Sequence, residues 1–160
     1  MAAHGWENFF VAEVGAAAAL SGLVFVAVSI NLSRILAIDH LPDRAAETLV
    51  VLVGVLVVAS FGLVPEQSFV AFGGEVAATG AVVWAATVKT QVRAYQNVEA
   101  RQWLFGRVVA TQVATLPFLA GGAMLLAGRE AGLYWVVAGV LLSFACSIQS
   151  AWVLLVEIMR

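Results

Sequence analysis

Two glutamates stand where the surrounding sequence makes a carboxylate costly. Glu13 heads the charge-free run VGAAAALSGLVFVAVSINLS, and Glu75 interrupts a second apolar run between Glu66 and Lys89. A charge at bilayer depth costs about 2.5–3.5 kcal/mol on insertion scales, so a carboxylate there is rarely lipid-facing and points to function. Thr79 lies one turn beyond Glu75 on the same face. At 100° per residue, Asn31 returns to the face of Glu13, with Ala17, Leu20 and Val24 between them. Glu13, Glu75, Thr79 and Asn31 are therefore the candidate ion- or proton-binding residues. Three readings compete. The carboxylates face water and attract cations or relay protons, as acidic rings do in cation pathways. Alternatively, one or both are neutral and hydrogen-bond across helices, with Ser60 or Thr79 as partners. In the third reading, Glu13 snorkels to the membrane edge.

The elements that must position these groups are long apolar helices. The run behind Glu13 holds 20 uncharged residues, enough at about 1.5 Å per residue to cross a hydrocarbon core of about 30 Å. Further intervals run from Glu47 to Glu66, Glu66 to Lys89, Arg107 to Arg129 and Glu130 to Glu157. They predict an all-α integral membrane protein in one domain, 1–160, with five transmembrane helices near 8–33, 45–64, 68–90, 108–128 and 132–157. The link Pro65-Glu66-Gln67 separates the second span from the third. Leu41-Pro42-Asp43 marks the start of the second, with Asp43 as its N-cap. The connection 90–107 lacks proline and reads as a helical extension that turns back near Gly106. Its basic residues suit anionic headgroups, at about 1 kcal/mol each near the surface, and equally serve as a topology signal.

Composition agrees with this class. Hydrophobic residues make up 62% and charged residues 11%, against about 25% charged in soluble domains; the mean hydropathy is +0.98. The lipid bilayer is the first partner implied. A net charge of −2 leaves no basic face for nucleic acid. The lone Cys146 permits no internal disulfide. The opening MAAHGWENFF has no Lys or Arg, so the first apolar run reads as a retained span rather than a cleaved signal.

Arg34, Arg44, Lys89, Arg93, Arg101, Arg107 and Arg160 fall on one side of the five spans, and Arg129 alone on the other. The positive-inside bias then predicts an external N-terminus and a cytoplasmic C-terminus. Trp6, Tyr134 and Trp135 mark the outer interface, and Trp103 the inner one. Arg outnumbers Lys seven to one, a coding bias that points to a GC-rich bacterium and hence to a bacterial plasma membrane.

Glu13 and Glu75, with the small residues that follow each, align at an offset of 62, and the pairs Arg44/Thr48 and Arg107/Thr111 at an offset of 63. The matches suggest two parallel hairpin repeats with a fifth helix added. Opposite Glu13, the first span carries Gly15, Ala19 and Gly22. Opposite Glu75, the third carries Gly73, Ala77 and Gly80. Such small faces suit close helix packing, so each helix is expected to press its small face on a neighbour and turn its carboxylate elsewhere. Thr111, Gln112 and Thr115 before Pro117, and Ser143, Ser147, Gln149 and Ser150 around Cys146, read as interhelical hydrogen-bonding groups.

Other chemistries find little support. His4 and His40 lie outside the spans, so no intramembrane histidine is available for haem or for a Ser–His pair. No metal-ligand spacing or glycine-rich phosphate loop is present, although His4, Glu7 and Glu13 could meet on the outer side. The expectation is a protein without catalytic residues, cofactor or metal, and not an enzyme. The stretch FFVAEVGAAAALSGLVFVAVSINLSRIL resembles small multi-spanning membrane proteins of GC-rich bacteria; the resemblance implies no activity and no site residue. The expected function is an oligomeric channel or transporter-like protein for cations or protons, with its carboxylates at the outer side. The alternative is a non-conducting accessory or scaffold subunit that binds another membrane protein.

Overall fold

The computed structural model describes residues 5–38, 41–95 and 101–159, and of these the side chains outside 101–103 and 157–159. Every regular element among them is a helix: α1 Glu7–Ile30, α2 Leu32–Leu36, α3 Leu41–Phe61, α4 Phe69–Tyr95, α5 Arg101–Leu126 and α6 Gly132–Met159. Five, all but the short α2, are long and apolar enough to cross a membrane. This is a multi-pass, all-helical membrane architecture whose lipid-facing sides carry exposed Leu23, Phe25, Val82 and Trp152.

Neighbours in sequence pack as neighbours in space. α1 lies on α3, α4 on α5 and α5 on α6, while α3 also packs on both α4 and α6. A core of Phe10, Val58, Phe72, Phe118, Leu125 and Val136 joins four of the five long helices with α3. α4 and α5 approach each other closely. A Cβ on Gly122 would stand 2.7 Å from the Ala77 nitrogen, and one on Gly73 would stand 2.7 Å from Leu125 Cβ. Without these side chains the two backbones meet almost directly, which adds dispersion contacts where lipid supplies no hydrophobic drive.

Helix ends follow local chemistry. Asn31 breaks the first span: its Nδ2 donates to the Ala27 carbonyl at 2.9 Å, and its own N–H reaches the same oxygen at 3.3 Å. An amide side chain that competes for backbone partners interrupts the ladder. The chain resumes as α2, whose Ile35 is buried with Leu41, Ala45 and Leu154. Ser68 Oγ accepts the Ala71 N–H at 3.1 Å and caps α4. α5 ends on Gly128 at φ +72°. There the Arg129 N–H reaches the Met124 carbonyl and the Gly128 N–H the Leu125 carbonyl, both at 2.9 Å, a Schellman closure that calls for a left-handed residue.

Two boundaries differ from the sequence expectation. Asp43 is not the N-cap of α3 but sits inside its first turn, where its charge meets the positive helix end. Gly106 does not reverse the chain; it lies within α5. An interior glycine costs only about 1 kcal/mol, and burial of Leu104 against Ala94 opposes that cost.

Candidate functional site

α3, α4 and α5 bring their polar residues together at the end of the bundle that carries most of the arginines. Glu47 lies on the face of α3 that also buries Val51 and Val58, so its register aims it inward. Arg107 arrives from the first turns of α5, and Arg107 Nη2 stands 2.9 Å from Glu47 Oε2, with the side chains 8% and 9% exposed. Thr90 of α4 donates its hydroxyl proton to the other carboxylate oxygen. Beside them, Gln91 Nε2 donates to Thr111 Oγ1 at 3.0 Å, a buried bond between α4 and α5. Three helices are thus tied through one ion pair. A buried pair of this kind adds little net stability, because desolvation offsets most of its Coulomb attraction.

The same pair borders a cavity of about 420 Å³ between α3, α5 and α6. Arg44 and Thr48 line it from α3, Arg107 and Thr111 from α5, and Ser147 and Gln149 from α6. In both Arg-x-x-x-Thr segments the threonine hydroxyl donates back to the arginine carbonyl, at 3.0 Å from Thr48 and 2.8 Å from Thr111. The two segments matched in sequence therefore face one hollow with the same local bonding.

Glu75 occupies the other end of the α3–α4 seam. Gln67, in the link before α4, donates its Nε2 proton to Glu75 Oε2. The carboxylate borders a groove lined with Val53, Val57, Thr79 and Val82. Thr79 is on this groove, as its spacing from Glu75 predicts. Along α4, the 15 residues from Glu75 to Thr90 correspond to a rise of about 22 Å. Midway, Val83 closes over Gly54: a Cβ there would come within 2.6 Å of Val83 Cγ2. The seam therefore carries a carboxylate at each end and a tight apolar middle.

Glu13 and Asn31 take other places. Glu13 is half-buried on α1, on the face whose Phe10, Ala17 and Val24 are buried. Since α1 packs chiefly on α3 and α4 chiefly on α5, Glu13 and Glu75 belong to different helix pairs. Asn31 spends its amide on the helix break described above. Ser60 does not receive a carboxylate but donates to the Leu56 carbonyl at 2.7 Å. His4 lies outside the described residues.

The small faces divide. Gly73, Ala77 and Gly80 of α4 are pressed on α5. In α1 the arrangement is reversed: the carboxylate face packs, while Gly15, Ala19 and Gly22 are exposed with open space at both glycines. Some of the polar residues of α5 and α6 join helices, whereas Thr115 donates to the Thr111 carbonyl of its own helix at 2.8 Å and Ser147 Oγ has no partner among the described residues. Gln112 accepts from Trp84 Nε1 at 2.9 Å, Ser143 donates to the Ala114 carbonyl at 3.3 Å, and Cys146 donates to the Ala110 carbonyl at 3.3 Å. At the end opposite the arginines, Trp6 meets Tyr134 edge-on, with centroids 5.5 Å apart.

The Glu47–Arg107 pair escaped the sequence reading because both residues served there as span boundaries. The available signal was register: Glu47, Val51, Val55 and Val58 recur at buried spacing, as do Arg107, Thr111, Ala114 and Phe118. Comparison with protein-family models, with curated proteins and with solved structures finds no match.

Proposed function

We propose that the protein is a channel or transporter-like membrane protein for protons or small cations, with the α3–α4 seam as its route. The observation that carries this reading is the buried carboxylate Glu47, held by Arg107 and Thr90, at the opposite end of the seam from Glu75. Glu75 and Thr79 form the outer mouth, and Glu13 adds a further carboxyl group on the neighbouring α1. The contact of Val83 with Gly54 is the closed constriction, which opens by separation of α3 from α4. Arg107 holds Glu47 until a proton or cation displaces it. The positive-inside bias places the arginine-rich end in the cytoplasm, in a bacterial plasma membrane.

The exposed stripe of Gly15, Ala19 and Gly22 favours a second component to the reading: α1 packs against another helix, of a second copy or of a different membrane protein. A homo-oligomer fits a conducting role, and a foreign partner fits the accessory role. Flux into liposomes separates them. The conducting reading predicts proton or cation flux that falls at least tenfold in Glu75→Gln, with a smaller loss in Glu13→Gln. Flux that is absent over a range of potentials and pH values supports the accessory role. Robust flux untouched by Glu75→Gln removes the carboxylate route.

A further inference from the structure

The α3–α5–α6 cavity has a chemistry that the seam does not use. We propose that it is a binding site for a phosphate-type oxyanion, carried on an anionic lipid headgroup or free in solution. Two guanidinium groups, Arg44 and Arg107, line it from equivalent positions of two helices, with Glu47 as the one carboxylate among the described lining residues. Both oxygens of that carboxylate are engaged, by Thr90 and by Arg107. Among the described residues, the lining thus offers two guanidinium groups and a single carboxylate whose oxygens are both already engaged.

Hydrogen-bond donors are left over. Arg107 is more than nine-tenths buried, yet its Nε–H finds no acceptor among the described residues. Ser147, 4% exposed, likewise has an Oγ with no hydrogen-bond partner. A buried donor without an acceptor costs about 1–3 kcal/mol, more when charged. An oxyanion between α5 and α6 satisfies both groups, and the fork of a guanidinium suits two oxygens of one phosphate. Small walls at Gly106, Ala110 and Ala114 leave the room, about 420 Å³, and the hollow reaches the surface between exposed Gly106 and Gln149.

A lipid is accommodated as well as a free anion. An apolar groove of about 280 Å³ runs between α1 and α6, lined with Leu23, Ala27, Ile148 and Trp152, and Ser147 borders both hollows. A headgroup in the polar cavity thus has an acyl-chain groove on the other side of α6. Basic pockets between membrane helices are a recurrent solution for anionic headgroups.

Binding is tested on the full chain purified in neutral detergent. One arm titrates inorganic phosphate against chloride at constant ionic strength; the other titrates micelles containing phosphatidylglycerol or phosphatidylcholine. Thermal stability and native mass spectrometry report occupancy. The expected result is saturable binding of phosphate, or at least tenfold tighter binding of phosphatidylglycerol than of phosphatidylcholine. Phosphate alone identifies a free oxyanion, and phosphatidylglycerol alone a headgroup. Glu47→Gln/Arg107→Gln, which keeps a neutral pair in place, abolishes the preference. Should that variant not fold, Arg44→Gln weakens it about tenfold, while Arg129→Gln at the far end leaves it intact. No phosphate binding together with equal affinity for the two lipids overturns the proposal, as does a preference that survives both cavity variants. Neither result depends on whether the seam conducts.

Discussion

Arg107→Met removes the cation that faces Glu47 and leaves a carboxylate, only 7% exposed, with the Thr90 hydroxyl as its remaining partner. Breaking a buried pair from one side costs about 3–5 kcal/mol, because the surviving charge loses its compensation in a poorly solvated place. The adjoining cavity admits water to one side of the pair, which favours the lower half of that range. A chain of this size loses roughly 2–4 °C per kcal/mol. Arg107→Met is therefore expected to unfold about 6–16 °C below the parent protein. Adding Glu47→Leu removes the stranded charge and replaces the pair by apolar contacts, which is close to neutral or stabilising. The double variant should recover to within about 3 °C of the parent. Melting in detergent, followed by tryptophan fluorescence and circular dichroism, measures both. A shift below about 2 °C in the single variant, or a double variant no better than the single, refutes the account of the pair as buried and mutually dependent.

Gly122→Ala forces a methyl to within 2.7 Å of the Ala77 backbone nitrogen; overpacking of this kind costs about 1–3 kcal/mol and lowers the melting temperature. Gly22→Ala meets open space. In an isolated subunit it raises stability by about 0.5–1 kcal/mol through helix propensity, whereas a helix seated on the α1 stripe turns the same change into a loss of assembly, read by cross-linking or light scattering. Cys146, the single cysteine, lines the polar cavity. A membrane-impermeant cationic thiol reagent should label it from the arginine-rich side in inverted vesicles and at least tenfold more slowly from the other; equal rates contradict the orientation.

The sequence makes the helices legible because each has its own charge-free interval and its own length. It also makes the α4–α5 contact legible, since Gly73, Ala77 and Gly80 share one face and the partner helix follows directly. Pairing across long separations is different. Nothing local to Glu47 says that the residue opposite is Arg107, 60 positions away. Its place near a span end makes it look like an ordinary boundary charge. The threonine spacing that equates Arg44 with Arg107 is visible in the sequence, and it becomes chemically meaningful only once both face one hollow. α1 shows a limit of composition. Its alanines and glycines surround the helix, so small size does not distinguish the packed side from the free one, and large size does not either, since Phe10 and Val24 are buried while Leu23 and Phe25 are exposed.

Proton flux through liposomes bearing Glu47→Gln, Glu75→Gln and both together addresses the seam most directly. If the two carboxylates serve one route, each single variant lowers the rate at least tenfold and the double variant is no slower than the slower single. Rates that fall independently and multiply, or a wild-type flux that neither substitution alters, contradict a shared route along α3 and α4.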